Sequence, residues 1–254
     1  MKLLRAWGTL TALTFHRLLW SSSTLMVLLP LAGCLLFVLR RHYNRGEFTE
    51  DDFRDYSDFM ILVYASFVVP ICALAFGTAS VGGDREDRTL VFLLVRPIPR
   101  ALILLAKFTA TLPLVLGLVV GSYWLDCRLA GEVGQVAFGL YLPALVYMTL
   151  AYVSLFHLFA VAFRHSTIIA LIYALFMELL LGNMPGIAKR AAVNYYGRSL
   201  MYAAGATEGL PAPDPQWFEP LSVETATWAL AGIAVGGILL AAIVFSRREY
   251  RDLT

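Results

Sequence analysis

A short segment that mixes charged and apolar side chains, residues 83–100, is the part of this chain best suited to bind a partner. It lies between two hydrophobic stretches and contains a charged run at residues 84–88 and an apolar run at residues 90–95. A charge at the centre of a bilayer costs on the order of 2.5 kcal/mol or more, so this segment must lie outside the hydrocarbon. Because a solvated linker would not need an apolar run, the combination predicts a docking surface for a soluble partner. The alternative is a solvated loop whose charges only set the membrane topology.

The sequence patterns of common enzyme and metal sites are missing from the chain. It has no His-Glu-x-x-His, no Gly-x-Ser-x-Gly and no Gly-x-x-x-x-Gly-Lys-Ser/Thr loop of the kind that cradles phosphates. The three cysteines, Cys34, Cys72 and Cys127, are too dispersed for a disulfide framework or a metal site. The acidic residues between Glu47 and Asp58 lack the spacing of a calcium loop. We therefore expect no catalytic residue, no metal and no cofactor bound by this chain.

Two ionisable residues inside apolar stretches, Glu178 and His157, are candidates for a polar pathway. An acid at such a position usually faces a bundle interior or a water-filled cavity. Glu178 could line the outer pathway or hold the loop that follows, or it could be a structural residue hydrogen-bonded to a neighbouring helix. Asn183 is grouped with it as a candidate gate residue. His157 could belong to the same pathway, but a lone histidine on an apolar helix is more often a core residue with satisfied hydrogen bonds.

The elements that must position these residues are membrane-spanning helices. The chain is 59% hydrophobic and 15% charged, whereas soluble domains average about 25% charged residues. A transmembrane helix needs roughly 20 apolar residues. We therefore predict an all-α membrane protein, a single domain over residues 1–254, with six transmembrane helices. The predicted spans are residues 19–39, 59–79, 102–125, 136–163, 167–184 and 225–245.

The distribution of basic residues predicts which side of the membrane holds the termini. Six spans place both termini on the side of the 83–100 segment, and the pieces on that side carry a modest excess of Lys and Arg. Such an excess marks the cytoplasmic face, so we predict a plasma (inner) membrane protein with cytoplasmic termini. Residues 1–18 have apolar side chains at helical spacing and predict an amphipathic helix on the inner leaflet. The alternative is an early extension of the first span.

The longest piece outside the predicted spans is residues 185–224. Its first part, residues 187–204, mixes apolar and polar residues and includes three tyrosines. This pattern predicts short helices that dip into the outer membrane interface. Its second part, residues 207–220, is rich in proline, which predicts an extended loop.

Two stretches resemble the ABC-2-type permeases, which are membrane subunits of ABC transporters. In that family the loop between the second and third spans has an acidic-basic start, a Thr-Leu, a Leu-Leu and a Pro-x-x-Arg step before the next helix. In this chain these are Asp84-Arg85-Glu86, Thr89-Leu90, Leu93-Leu94 and Pro97-Ile98-Pro99-Arg100, followed by Lys107. The second stretch is residues 178–186, followed by Tyr195-Tyr196 and Arg198-Ser199-Leu200. The chain departs from the family pattern at Arg88, where Gly is usual, and at Val91, where Glu is frequent.

The resemblance covers most of the chain, because the amphipathic start, the six spans and the long loop before the last span also agree. It implies a permease without a nucleotide site of its own, so ATP and Mg²⁺ would be bound by a separate ABC ATPase subunit. A second permease, either another copy or a paralogue, would complete a dimer in the lipid bilayer. The short helices of residues 185–224 resemble the re-entrant external helices that close the outer gate. We expect no nucleic acid partner, since no basic face with interleaved aromatic residues is present.

The same resemblance implies that the loop at residues 80–100 couples the ATPase to the permease. A short cytoplasmic helix, residues 89–95, would lie parallel to the membrane and insert its apolar side into a groove on the ATPase. The charged residues would set the register of docking, and the prolines would stiffen the return into the third span. The predicted coupling residues are Asp84, Arg85, Glu86, Asp87, Arg88, Thr89, Leu90, Leu93, Leu94, Pro97 and Arg100.

The function that this resemblance implies is ATP-driven export or extrusion of a substrate. The rival interpretation is a mechanical or scaffolding subunit that transmits the motion of the ATPase and moves no substrate. An intramembrane enzyme would need a pair of polar residues facing one cavity, and the sequence indicates none. The chemistry of the dimer interface distinguishes export from force transmission. A wide lipid-open or polar cavity there favours transport, and a sealed apolar seam favours force transmission.

Overall fold

The computed structural model describes residues 2–46, 52–87, 89–95, 98–180, 182, 186–215 and 218–248, with the backbone alone for Lys2, Arg45, Glu86, Leu94 and Leu179. These residues form helices, and no β-strand occurs among them, which confirms the predicted all-α class. In chain order the helices are α1 (Lys2–Leu19), α2 (Ser22–Arg45), α3 (Phe53–Gly83), α4 (Leu90–Leu94), α5 (Arg100–Leu129), α6 (Glu132–Ala162), α7 (Ser166–Tyr173, continued by the π-helical segment Ala174–Leu180), α8 (Val193–Gly205) and α9 (Val223–Arg247).

Five helices in the described part of the chain are long and apolar enough to cross a bilayer. They are α2, α3, α5, α6 and α9, with mean hydropathies of 1.9 to 2.4 in their most apolar windows. The predicted fifth span, residues 167–184, differs, because α7 with its π-helical segment ends at Leu180 and is too short to count among them. The described part of the chain therefore has five candidate spans where the sequence predicts six.

Contacts between the long helices fix their relative directions. Gly237 of α9 packs against Ser154 of α6, and Arg248, just after α9, donates a hydrogen bond to the carbonyl of Val161 near the end of α6. Helices α6 and α9 therefore run in the same direction. Equivalent contacts make α3 parallel to α6 and α9. Helices α2 and α5 run antiparallel to α3. We call the side where α3, α6 and α9 end and α5 begins the near end, and the opposite side the far end.

Helix α3 lies against α6 in the centre of the bundle, and its backbone is irregular. It contains two π-helical segments, Ile61–Val68 and Ala79–Gly83. Pro70 follows the first of them, and a proline removes one donor from the helical hydrogen-bond ladder. At Gly77 a Cβ atom would lie 2.9 Å from the Cβ of Phe156 in α6. The absence of a side chain at this glycine therefore allows the two helices to approach closely.

The segment between α7 and α9 contains a 3-10 helix, Ile187–Ala191, and helix α8, in the region where the sequence predicts short helices. Helix α8 packs on α6, with Gly197 against Met148 near the middle of α6 and Gly205 against Tyr141 nearer its start. Helix α8 therefore runs from the middle of the bundle towards the far end. After the 3-10 turn Ala206–Glu208, the described residues continue to α9 without further helix.

Candidate functional site

A cluster of three charged side chains, two of them buried, joins three helices at the near end; we call it the Asp84 cluster (Arg17, Asp84 and Lys107). Asp84 directly follows α3 and is 3% exposed, and its carboxylate pairs with Lys107 of α5, which is also 3% exposed. Arg17 of α1 pairs with the same carboxylate. Lys107 Nζ also donates to the carbonyl of Ser80 in α3. Because buried charges are tolerated when they are paired, this cluster holds α1, α3 and α5 together.

Arg17 makes helix α1 a fixed part of the near end. Its guanidinium donates to the carbonyls of Ala79 and Ser80 at 3.3 and 3.4 Å. Burial lowers the pKa of Arg17 from its ordinary value, and the Asp87 carboxylate offsets part of this effect. Arginine nevertheless keeps its charge in proteins. Since the chain turns at residues 20–21 between α1 and α2, α1 is a separate helix and not an extension of the first span.

Two arginines hold the end of helix α6. Arg85 Nη1 donates to the carbonyl of Phe163 at 2.9 Å. Arg248 donates to the carbonyls of Val161, at 2.9 Å, and Ala162. The last carbonyls of a helix have no partner within it, and positive charge is favourable there. The segment that follows α3 and the end of α9 are therefore attached to the same end of α6.

The short helix α4 forms where the sequence predicts it, but its faces are arranged differently. Leu90 is 0% exposed and belongs to a core cluster between α3, α5, α6 and α9, and Leu93 is half-buried. Phe92 and Val95 are 72% and 79% exposed. Burying a leucine stabilises a fold by about 1.5–3 kcal/mol, so Leu90 faces the bundle and not a partner. Phe92 and Val95, which the sequence analysis did not select, form the apolar surface that α4 leaves open.

Two of the charged residues before α4, Asp84 and Arg85, are also committed to the bundle rather than exposed. Asp84 and Arg85 are 3% and 8% exposed and are paired within the chain, so the predicted pairing of these two with a partner does not fit their positions. Thr89 closes the turn before α4, because its N–H and its hydroxyl both donate to the Asp84 carbonyl, at 2.8 and 3.2 Å. Asp87 is exposed, and among the described side chains of this segment it is the acid that a partner could reach.

The remaining predicted coupling and gate residues are only partly described. Arg100 starts α5 and donates to the carbonyl of Arg248 at 3.0 Å, which links α5 to the end of α9. Arg88, Pro97 and Asn183 lie outside the described residues, as do the side chains of Glu86 and Leu94. The coupling role of the 83–100 segment stays a prediction.

Glu178 holds the start of helix α8. Its carboxylate oxygens accept hydrogen bonds from the backbone N–H groups of Val193 and Asn194 at 3.0 and 2.9 Å, and the side chain is 0% exposed. The first amides of a helix have no partner within it, and a negative charge is favourable there. The Asn194 side chain in turn donates to Ser66 of α3 at 3.0 Å. Among the interpretations of Glu178 that the sequence leaves open, this geometry fits the one in which Glu178 holds the segment that follows it.

His157 is a core residue with both ring nitrogens partnered. Nε2 pairs with the hydroxyl of Ser80 at 2.9 Å and Nδ1 with the carbonyl of Val153 at 2.8 Å, and the side chain is 0% exposed. The Phe108 ring packs edge-on against the imidazole. In the described residues His157 and Glu178 have different hydrogen-bond partners, and their role in one polar pathway stays a prediction.

A second buried acid, Asp126, was missed by the sequence analysis. It lies in α5 at 1% exposure, and the Tyr64 hydroxyl of α3 donates to one of its oxygens at 2.6 Å. Asp126 directly follows the predicted third span, residues 102–125, so it looks like a solvated residue at the end of a helix. Cys127 and the apolar residues beyond it extend the buried face of α5, and this pattern could have indicated that Asp126 is buried.

A groove of about 610 Å³ lies between α2, α3 and α7. Its lining combines hydroxyl side chains, among them Ser66, Thr78 and Thr167, with apolar side chains from all three helices. Three or more His, Cys, Asp or Glu residues that could hold a metal ion are nowhere grouped in the described part of the chain. The arrangement is suited to bind a partner at the near end and a molecule in the groove.

Comparison with known proteins places the chain in a family. Among curated proteins none matches it. A family model described as "ABC-2 family transporter protein" matches residues 15–249, a range that includes the Asp84 cluster, α4 and all five candidate spans. This agrees with the family that the sequence motifs resemble. The chain is therefore a member of the ABC-2 transporter family, whose proteins are multi-pass membrane permeases.

Proposed function

We propose that this chain is the permease subunit of an ABC transporter and that a separate ATPase docks at the near end, which faces the cytoplasm. ATP and Mg²⁺ bind to the ATPase, and its motion drives export or extrusion of a substrate across the plasma membrane. Two permease chains, either copies or paralogues, form the transporter. The family supports the general role, because ABC-2 permeases normally work with an ABC ATPase and are generally non-catalytic.

The observation that carries the proposal is the attachment of α4 to the bundle. Asp84 and Arg85 tie the segment before α4 to α1, α5 and α6, and Leu90 anchors α4 in the core. The same helix leaves Phe92 and Val95 exposed. A partner that pushes on these two side chains would move several transmembrane helices at once, since Leu90 of the same short helix packs directly against them. This is the property that a coupling helix needs.

The directions of the helices support six crossings of the membrane. Helices α6 and α9 both end at the near end, so the chain between them has to return to the far end. Helix α7 starts beside the end of α3, where a Cβ at Gly82 would lie 2.7 Å from Ser166 Oγ. The return then continues through α8, which starts at mid-depth and runs outwards. We infer that α7 and α8 together make the sixth crossing and that α8 is a re-entrant external helix.

The groove between α2, α3 and α7 favours transport over pure force transmission. It is large, it opens at the surface of the bundle, and it combines hydroxyl groups with apolar side chains. The volume also lies in the range of about 300–1,000 Å³ that is usual for sites that bind small molecules.

The experiment that tests the proposal is purification of the tagged chain from the membranes of its own cell, followed by mass spectrometry of associated proteins. The ATP hydrolysis of the purified complex is then measured. We expect an ABC ATPase to accompany the chain. Phe92→Asp should weaken this association about tenfold or more, because truncating an anchor of an interface costs about 2 kcal/mol.

Val223→Asp is the matched control. Val223 is 55% exposed at the start of α9, at the far end, so this change should leave the ATPase bound. Both variants have to reach the membrane in normal amounts. An unaltered complex with Phe92→Asp, or the absence of any ATPase from the purified wild-type chain, would refute the proposal.

A further inference from the structure

The groove between α2, α3 and α7 is open to the side, where lipid would lie. Met26 of α2 is 74% exposed, Phe67 of α3 is 42% exposed, and Leu171 and Leu175 of α7 are 49% and 53% exposed, and all four line the groove. A molecule dissolved in the membrane can therefore enter between the helices without first passing through water.

The polarity of the lining changes along the groove. Its near end is formed by three consecutive serines, Ser21 to Ser23, where α2 begins, and by Thr78 and Thr167, whose hydroxyls lie 3.4 Å apart. Asp87 also lines this end. Towards the far end the lining is apolar, with side chains such as Phe67 and Leu74, until Ser66 closes it. A molecule with a polar group at one end and an apolar body matches this order.

The depth of the groove corresponds to one leaflet. Trp20 immediately precedes the serines and is 78% exposed, and exposed tryptophans are enriched at the level of the lipid headgroups. Thr78 and Ser66 are separated along α3 by about 18 Å at 1.5 Å per residue. The hydrocarbon of one leaflet is about 15 Å thick. The polar end of the groove therefore lies at the headgroup level of the near leaflet and its apolar part within that leaflet.

The charge of the lining sets the kind of headgroup that fits. Asp87 is the charged side chain among the described residues that line the groove, and no lysine, arginine or histidine is among them. Arg17 is close by, but it is committed to Asp84 and to the carbonyls of Ala79 and Ser80. Hydroxyls and a carboxylate accept hydrogen bonds and attract cations. They compensate little of the free energy that an anionic headgroup loses when it is removed from water.

We propose that the groove binds an amphipathic molecule with a cationic or uncharged hydrogen-bonding headgroup, taken laterally from the near leaflet, and that this is the class of substrate. The direction of transport rests on the permease function proposed above, whereas the binding itself needs no ATPase. The headgroup lies against the serines, the two threonines and Asp87, and the apolar part lies along α3 and α7.

The test uses the purified full chain in lipid nanodiscs and two photoreactive amphiphiles. Both carry the same alkyl chain with a diazirine, and their headgroups are trimethylammonium and sulfate. Crosslinked peptides are identified by mass spectrometry. We expect the trimethylammonium amphiphile to label the stretches around Leu74 and Leu171 at a concentration about tenfold lower than the sulfate amphiphile, the ratio that a difference of 1.4 kcal/mol produces. Asp87→Asn should remove this preference and leave the labelled positions unchanged.

Two leucine variants distinguish the groove from general exposure to lipid. Leu171→Trp narrows the groove and should strongly reduce labelling at Leu74 with both amphiphiles. Leu28→Trp, at 44% exposure in a separate apolar groove between α2 and α5, is matched in size and should leave that labelling unchanged. Equal labelling by the two amphiphiles, or equal effects of the two variants, would overturn the proposal. If labelling occurs as expected but no ATPase co-purifies with the chain, the ATPase is removed from the proposed function and the proposed binding site is retained.

Discussion

Asp84 neutralises Lys107 in a part of the bundle that excludes water. Both residues are 3% exposed, and Arg17 approaches the same carboxylate from α1. Removing one partner of a buried ion pair leaves an uncompensated charge and costs about 3–5 kcal/mol. We therefore expect Asp84→Asn to lower the thermal unfolding midpoint of the detergent-solubilised chain strongly, as measured by circular dichroism.

The control for this change is an exposed pair of the same chemistry. Arg54 and Asp58 lie 4.0 Å apart with side chains 68% and 51% exposed, and such pairs contribute about 0–1 kcal/mol. Asp58→Asn should hardly shift the midpoint. Adding Lys107→Met to Asp84→Asn should recover part of the loss, since no lone buried ammonium remains. Equal midpoints for the two aspartate variants would show that the Asp84 cluster does not carry the stability assigned to it.

Glu178 should control the start of helix α8. Glu178→Ala removes the acceptor of two buried N–H groups, those of Val193 and Asn194, and each buried group left unpaired costs about 1–3 kcal/mol. We expect faster hydrogen exchange of these two amides, measured by mass spectrometry on the purified chain. Glu224→Ala, in the exposed first turn of α9, is the control. Unchanged exchange at the start of α8 would contradict the role assigned to Glu178.

At the scale of single residues the sequence predicts which side chains are unusual but not which partners they have. Glu178 stands out because it is an acid in an apolar stretch, yet the amides that it binds belong to α8, whose position depends on the packing of the whole bundle. Leu90 and Phe92 are both apolar members of a five-residue helix, too short for periodicity to tell the buried face from the exposed one. Asp126 was missed because it lies just past an apolar run, and only Cys127 and the apolar residues beyond it indicate that the buried face of α5 continues.

At the scale of helices, the close contact of α3 with α6 depends on Gly77. A Cβ at this position would lie 2.9 Å from the Cβ of Phe156, and forcing extra atoms into a packed core costs about 1–3 kcal/mol. Gly77→Ala should therefore lower the thermal unfolding midpoint. Gly33→Ala in α2, where a Cβ would meet nothing within 4 Å, should be neutral or stabilising because alanine favours helix by up to about 1 kcal/mol. The opposite order of the two midpoints would contradict the packing described here.

The long helices could be predicted from the sequence because each is an apolar run of sufficient length. The π-helical segments of α3 and the π-helical end of α7, in the fifth predicted span (residues 167–184), could not be predicted. Hydropathy records only that residues 167–184 are apolar, and it does not show that Glu178 contacts the start of α8. That contact joins two segments whose sequences give no sign of their proximity.

At the scale of the whole molecule, the direction of the helices predicts that the chain changes sides between α6 and α9. The native cysteines are all buried, so a membrane-impermeant thiol reagent should report only on introduced ones. We expect His165→Cys, at the near end, to be labelled only in opened cells. Glu208→Cys, after α8, should be labelled in intact cells. Labelling of both from the same side would leave five crossings and refute the sixth.

The central claim is that the surface left open by α4 receives the ATPase, and crosslinking in the native cell tests it most directly. A photoreactive amino acid is placed at Val95, which is 79% exposed, or at Val223, which is 55% exposed at the opposite end of the bundle. The account predicts that Val95 crosslinks to an ABC ATPase and that Val223 does not. A crosslink to the ATPase from Val223, or none from Val95 in a chain that has reached the membrane, would contradict it.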